Sequence, residues 1–495
     1  MDTASFGFVF FGLAAACISN FSRSRAWRST VLMIASVVFL GLLAHDPVVL
    51  IPLAGFLLLG YVALVLLEHG WSSLLAGAVV VVLLVYIWLK KYTFLPEGIF
   101  IRAPYFTLGL SYVFFRVMHL VVEAGDGGER PRIGPGAYLL YMLNFTTLLS
   151  GPIQRYDEFA RDQFAAEPIP LGARTIALQL ERIVRGLFKV QVLAMLLHAA
   201  QDDALAQLFH PLTPPALKFY AAFKVAVLYP FFLYSNFSGY IDIVIALARL
   251  MRVRLPENFD RPFSASSFID FWNRWHITLS MWLKTYVHNP LLMALMHRIT
   301  SRALEPFLGV VCFFVTFFLV GVWHGRTSEF VLFGVLQGGG VAINKLWQLG
   351  LARTLGRKAY KDLAKNPAYI AFGRGLTFSW FTFTLFWFWG NWSRIDRAFH
   401  SIGVAQWLCV WLAIWLSATA VLAAWEALRG APCPQNFRRP GVHQPLCARG
   451  LRLCPGICCR GNERPAQPAR AGNRLQRVLA VDQLNRFGVL KGKHG

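Results

Sequence analysis

The chain has 495 residues, of which 56% are apolar and only 15% charged, and its mean hydropathy is positive. Soluble domains are about 45–50% apolar with about 25% charged residues, so this composition excludes that class and predicts an all-α polytopic membrane protein. A net charge of +23 suits nucleic acid, but no basic helix with interleaved aromatics stands clear of the apolar runs. Basic loops facing an anionic lipid bilayer account for the charge better, and no nucleic-acid partner is expected.

A spanning helix needs roughly 17–25 residues, and the chain offers about ten to thirteen transmembrane or re-entrant helices by that measure. Residues 6–18 read as a first span, retained because no small-residue cleavage site follows a charged start, or as a re-entrant segment given their shortness. Further runs lie at 31–43, 48–67, 71–89 and 106–122. Arg23, Arg25 and Arg28 mark a cytoplasmic first loop. Lys90 and Lys91 do not fit simple alternation from there, so at least one early run is expected not to cross. The Gly-, Pro- and charge-rich stretch 123–136 is a connection. Residues 137–149 then lead into Ser150-Gly-Pro-Ile-Gln-Arg-Tyr-Asp-Glu-Phe159, which reads as a helix break at the interface or as an ordinary loop start. Residues 173–197 are amphipathic, with Arg182, Arg185 and Lys189 on one face, as in a helix lying along the cytoplasmic surface.

The run 219–245 ends in Asn236-Phe-Ser-Gly-Tyr-Ile-Asp242, and Arg249, Arg252, Arg254, Glu257, Asp260 and Arg261 then surround Pro256 and Pro262. Irregular backbone cannot face lipid, so 249–263 lies at the interface or is buried among helices. Ser267 with Asp270 makes a capping-box start and Pro290 a stop, which predicts one helix over 268–288. At about 100° per residue, Phe268, Phe271, Trp272, Trp275, Leu279 and Trp282 share a broad face. Asn273, His276, Ser280 and Lys284 form a polar stripe opposite, suited to a wet cavity.

After the basic loop 297–302 comes the span 307–323. It runs into Gly321-Val-Trp-His-Gly325, whose glycines let neighbouring helices close around His324. The span 330–347 and the basic loop 352–365 follow. Counting back from that loop places His324 away from the cytoplasmic surface. Spans at 371–389 and 407–427 return the chain to the cytoplasm. Residues 1–428 therefore read as a multi-span membrane domain. Residues 429–495 read as a basic, Arg-, Pro- and Cys-rich tail, either disordered or an out-of-frame reading of a GC-rich gene. Cys433, Cys447, Cys454, Cys458 and Cys459 lack the paired spacing of a zinc site. Cys17, Cys312 and Cys409 sit alone in apolar segments as packing residues.

An intramembrane histidine is expensive to keep and is a functional candidate by default, the alternative being a satisfied interhelical hydrogen bond. His276 and His324 have such settings, whereas His69, His119, His198, His210, His288, His297 and His400 read as background. A buried imidazole stays neutral and is then able to act as a general base. No phosphate-binding loop, dinucleotide pattern or metal-ligand cluster is present, so neither a bound cofactor nor a metal is expected.

The segments Phe237-Ser-Gly-Tyr-Ile-Asp242, Pro256-Glu-Asn-Phe259, Phe271-Trp-Asn-Arg-Trp-His-Ile-Thr-Leu-Ser280 and Gly321-Val-Trp-His-Gly325 together resemble the signature of the membrane-bound O-acyltransferase (MBOAT) family. They are most similar to its bacterial branch of alginate and peptidoglycan O-acetylation proteins and the teichoic-acid D-alanylation protein. Ser150-Gly-Pro-Ile-Gln-Arg-Tyr156 resembles a further segment of that branch, and the likeness covers about residues 105–390. Arg326-Thr-Ser-Glu329 departs from the small and aromatic residues often found there, and the tail does not resemble the family's apolar ending. The resemblance implies a ring of helices around a thin centre with funnels from both faces. It implies His324 as catalytic residue and His276 as the second active-site histidine; Asn273, Ser280, Asp242 and Trp323 are the residues expected to shape the substrate cavity.

The implied reaction is transfer of an acetyl or other acyl group from a cytoplasmic thioester donor, such as acetyl-CoA. The acceptor is a hydroxyl of an exopolysaccharide or cell-wall glycan, or of a periplasmic or secreted acyltransferase partner. The implied location is a bacterial cytoplasmic (inner) membrane. D-alanyl transfer to teichoic acid from a carrier-protein thioester, and a non-catalytic transporter or flippase, are the alternatives.

Overall fold

The computed structural model describes residues 5–44, 46–101, 105, 107–125, 131–301 and 303–430. Beyond Gly430 the expected tail and its five cysteines lie outside the described residues, as does part of the connection 123–136. The helices are α1 Phe6–Ser19, α2 Arg25–Leu43, α3 Ile51–Glu68, α4 Leu75–Lys90, α5 Leu110–Gly125, α6 Pro135–Leu143, α7 Tyr156–Gln163, α8 Ala173–Phe188, α9 Met195–Phe209 and α10 Pro215–Leu250. They continue with α11 Phe268–Trp272, α12 Ile277–Leu283, α13 Asn289–Arg298, α14 Glu305–His324, α15 Ser328–Thr354, α16 Arg357–Leu363, α17 Pro367–Thr384, α18 Phe386–Trp389, α19 Trp392–Ile402 and α20 Val404–Gly430. Among the described residues the one β-type contact is an isolated antiparallel bridge between Phe259 and Trp275. This is the expected all-α polytopic class: in lipid the backbone must satisfy its own hydrogen bonds, and eight of the described helices are long and apolar enough to cross a membrane.

Some apolar runs serve another purpose. The run at 106–122 becomes α5, a helix of 16 residues enclosed by protein. Arg116, His119 and Glu123 are all buried on it. Arg116 donates to the carbonyls of Tyr141 (2.8 Å), Met142 (2.7 Å) and Thr147 (2.6 Å), pinning the last turn of α6 and the irregular stretch after it. The run at 371–389 divides into α17 and α18, neither of which is among the eight.

The amphipathic stretch 173–197 does not form a separate surface helix. α8 continues through a π-turn at Lys189–Ala194 into α9, and the combined helix of 37 residues is itself long enough to cross. Its basic stripe turns inward onto Asp242 of α10. Arg182 Nε donates to Oδ1 at 2.8 Å and Lys189 Nζ to Oδ2 at 2.7 Å, with Arg185 Nε 3.7 Å from Oδ2. A carboxylate facing three cations holds that face against α10 more firmly than solvation would hold it at a surface. Gly186 and Gly239 make the approach possible, since a Cβ on Gly239 would lie 2.8 Å from the Gly186 carbonyl.

Two ends of the bundle are defined by contacts. Arg25 at the start of α2, Glu68 at the end of α3, Glu123 near the end of α5 and Arg132 line one cavity of about 830 Å³. At the other end, the last residue of α4, Lys90, meets Ser111 at the start of α5 and the Trp323 carbonyl at the end of α14. Arg28, expected in a basic loop, is buried in the first turn of α2 and donates to the Ala165 carbonyl at 2.7 Å.

The hairpin of α14 and α15 is packed through glycine. A Cβ on Gly321 would lie 2.3 Å from Gly334 Cα, one on Gly334 would lie 2.4 Å from the Phe318 carbonyl oxygen, and one on Gly338 2.5 Å from that of Phe314. Gly339, one residue on, would meet nothing within 4 Å. Gly334→Ala is therefore expected to lower the thermal unfolding midpoint in detergent, by overpacking worth about 1–3 kcal/mol. Gly339→Ala should leave it unchanged or raise it, because alanine is favoured over glycine in a helix by roughly 0.5–1 kcal/mol. Equal midpoints for the two variants would contradict this packing.

Candidate active site

The helix expected over 268–288 begins as the capping signal predicts. Ser267 Oγ accepts from the Asp270 amide at 3.2 Å, and Asp270 Oδ2 accepts from the Ser266 amide at 3.2 Å. It then stops at Trp272, because the preceding segment pairs with its backbone. Asp260 N donates to the Arg274 carbonyl at 2.9 Å and Ile277 N to the Asn258 carbonyl at 3.0 Å. Asn258, fully buried, accepts at Oδ1 from Thr278 N (3.0 Å) and Thr278 Oγ1 (2.9 Å), starting the next helix from outside. His276, at the break, takes φ 46° and ψ 52°, a left-handed conformation that costs a side-chain-bearing residue roughly 1–2 kcal/mol. Pro290 does not stop the chain either. It sits in the first turn of α13, reached through a π-turn at Lys284–His288.

The turn buries His276 and aims it at the end of α14. Its Nδ1 lies 3.4 Å from Asn258 Oδ1, a long hydrogen bond. The Thr278 amide is only a donor, so the Asn258 atom it meets is the oxygen, and Nδ1 of a neutral His276 carries the proton. Nε2 is then a hydrogen-bond acceptor. Phe237 packs edge-on against this ring at 4.9 Å.

His324 is the last residue of α14 and is partly exposed. Its ring centroid is 6.4 Å from that of His276, with Phe388 at 5.1 Å and Phe333 at 6.2 Å. Among the described residues nothing hydrogen-bonds the His324 imidazole. Gly325 follows, where a Cβ would collide with the Phe330 ring, so both glycines of the motif permit close approach, as expected. Trp323 flanks both histidines, its ring 6.0 Å from that of His276 and 4.7 Å from that of His324. Phe115 of α5 stacks on it at 5.2 Å. Among the described residues, Trp323 Nε1 and Ser280 Oγ are buried without a hydrogen-bond partner.

Not every candidate joins the pair. Asn273 is exposed at the end of α11, and Asp242 is occupied by Arg182 and Lys189. The segment 249–263 is tied down rather than loose: Arg254 pairs with Asp162 at 2.6 Å, and Arg252 donates to Asn20 and to the Ile169 carbonyl, both at 2.7 Å. His119 and His288, read as background, are both buried. His119 Nε2 accepts from the Tyr156 amide at 3.3 Å, beside an Arg155–Glu123 ion pair whose carboxylate also accepts from Tyr286 at 2.6 Å. His119, a polar residue inside the apolar run 106–122, was the signal for this network. The departing segment after His324 has its own contacts, Glu329 accepting from the Trp392 amide at 2.9 Å. Among the described residues no group of His, Cys, Asp and Glu is placed to hold a metal ion.

Comparison with known proteins gives the same direction. Residues 128–366 match the model of MBOAT, the membrane-bound O-acyltransferase family. A teichoic acid D-alanyltransferase of Streptococcus thermophilus is 30% identical over 286 residues, 55% of this chain and 65% of that protein. A peptidoglycan O-acetyltransferase of Helicobacter pylori is 31% identical over 210 residues, 42% of this chain and 37% of the relative. A probable alginate O-acetylase, AlgI, of Azotobacter vinelandii is 26% identical over 337 residues, 66% of this chain and 63% of the relative. The chain thus spans less than two thirds of the length of each of these relatives. His276 and His324 both fall inside residues 128–366, the region of this multi-pass membrane protein that matches the membrane-bound O-acyltransferase family.

Proposed function

We propose that this protein transfers an acyl group, acetyl in the favoured reading, from a cytoplasmic thioester to an extracytoplasmic hydroxyl, at a bacterial cytoplasmic membrane. The observation that carries the reading is the pairing of His276 and His324 at 6.4 Å, with no hydrogen bond to the His324 ring among the described residues. Neither a charged thioester such as acetyl-CoA nor a polysaccharide crosses lipid, so a site reached from both faces is what the reaction needs. The acceptor is an exopolysaccharide or cell-wall glycan, or a hydroxyl of a secreted or periplasmic transferase that passes the group on.

In this reading His324 takes the proton from the acceptor hydroxyl as its oxygen attacks the thioester carbonyl. The tetrahedral oxyanion collapses, the C–S bond breaks, and His324 returns the proton to the leaving sulfur. General base catalysis of this kind contributes about 10²–10⁴ in rate. His276 orients the reactants through its accepting Nε2. To stabilise the oxyanion it must first gain a proton there, so the buried Trp323 N–H and Ser280 hydroxyl are the donors available in the ground state. Asn273 and Asp242 support the cavity only from a distance.

D-alanyl transfer from a carrier-protein thioester is the second reading, favoured by the likeness to D-alanyltransferases. A transporter whose histidines merely line a path is the alternative from another class. Membranes containing the full-length protein, given acetyl-CoA labelled in the acyl group or a labelled D-alanyl carrier protein, separate the three. We expect label in base-labile ester with acetyl-CoA. Label only from the carrier protein would establish the second reading, and unmodified acceptor with either donor would leave a transporter.

Two variants bear on the residues. His324→Ala is expected to reduce polymer-bound acyl ester in the host to the level of a deletion strain, at normal abundance in the membrane. Retained acylation would sink the mechanism. Asn258→Ala, which removes the partner that sets the His276 tautomer and starts α12, is expected to lose about 1–3 kcal/mol of stability together with most activity. A fully active Asn258→Ala protein would show that the His276 geometry is immaterial.

A further inference from the structure

The segment that follows α4 grips the end of α14 from outside. Lys90 Nζ donates to the Trp323 carbonyl, to Tyr86 Oη at 3.1 Å and to Ser111 Oγ at 3.2 Å. Tyr92 Oη donates to the Val322 carbonyl at 2.9 Å. Thr93 reaches the Arg326 carbonyl from its amide at 2.9 Å and from Oγ1 at 3.1 Å. Lys91 between them adopts φ 54°, and this left-handed turn allows Lys90 and Tyr92 to face the same helix end.

The last carbonyls of a helix have no partner inside it, and cations are favoured at that end. α14 finishes at His324, so the Val322 and Trp323 carbonyls are such orphans. An ammonium has three donors, and here a carbonyl and two hydroxyls take all three, leaving none for a substrate. Among the described residues Lys90 forms no ion pair. Around it stand the helix end and the rings of Tyr86 at 5.6 Å and of Tyr92 and Trp323, each at 5.8 Å. With its donors occupied, Lys90 is read as a positioning residue rather than a substrate ligand. It also does not serve as a topological marker: it sits at the end of the bundle opposite Arg25 and Glu68, where the balance of basic loops alone would not place it.

We propose that Lys90, helped by Tyr92 and Thr93, is a positioning clamp that sets where α14 ends and hence where the His324 imidazole stands. The proposal rests on His324 being the base. The Trp323 carbonyl belongs to the peptide bond that leads directly into His324, so releasing it displaces the ring, and a misplacement of about 1 Å costs roughly 100-fold in rate.

The test uses host cells carrying variants of the full chain, with base-labile acyl ester on envelope polysaccharide measured per amount of protein in the membrane. Lys90→Met is expected to lose about 10- to 100-fold per amount of folded protein, more than any lowering of its melting midpoint in detergent accounts for. In inverted membrane vesicles supplied with labelled acetyl-CoA, the loss should lie in the maximal rate and not in the half-saturating donor concentration. Tyr92→Phe should lose less, and the double variant no more than Lys90→Met, because both act on one helix end. Wild-type acylation in Lys90→Met, or a loss that only follows a lowered melting midpoint, overturns the clamp. If Lys90→Met does not accumulate, Tyr92→Phe is read by the same criteria. His324→Ala run in parallel separates the two levels. Full acylation there removes the base and the clamp with it, whereas inactive His324→Ala beside fully active Lys90→Met removes the clamp alone.

Discussion

The backbone exchange between residues 258–260 and 274–277 is the constraint on which the site depends. Without it, residues 268–288 would run on as one helix and His276 would project according to helical periodicity. The exchange instead holds His276 in a left-handed conformation and hands the start of α12 to the buried Asn258. Strain of this kind persists only where surrounding structure over-determines it. Here that structure includes Phe259 and Trp275, 5.1 Å apart, and Phe271 stacked on Trp275 at 5.6 Å.

The second half of the site is built on the opposite logic. His324 needs no strained turn, because it stands at the natural end of a helix. What it needs is that the end stay in place. Glycine contacts along α14 and α15 set the lateral position, and hydrogen bonds from Tyr92, Thr93 and Lys90 set the axial one. α5 joins the halves. Phe115 contacts both Trp282 of α12 and Trp323 of α14, at 4.4 and 5.2 Å, while Arg116 on the same helix anchors the stretch after α6. Such aromatic pairs are worth about 0.5–1.5 kcal/mol each beyond their area, and here they also fix distances between the helices that bear the two histidines.

Much of this was legible in the sequence, for local reasons. The all-α class follows from hydropathy, and the Ser267 cap from a three-residue spacing. The close approach around His324 follows from two glycines four residues apart. The break at His276 was not legible, because the aromatic periodicity runs straight through it and the residue that causes it, Asn258, lies 18 positions away. The inward turn of Arg182, Arg185 and Lys189 was hidden for the same reason: their partner Asp242 is on another helix. Lys90 did leave a trace, as a cation in the wrong place for simple alternation. Arg116 and His119 left another, as polar residues inside an apolar run. In each case the anomaly was a buried polar group whose partner comes from elsewhere in the chain.

The central claim is that a thioester from one face and a hydroxyl from the other meet at the histidine pair. Sealed proteoliposomes of uniform orientation test it most directly, with labelled acetyl-CoA on one side only and the host's base-deacetylated envelope polysaccharide on the other. The account predicts labelled polysaccharide when the thioester is on the side of Arg25 and Arg353, and none when the sides are exchanged. Transfer only when donor and acceptor share a side would contradict it.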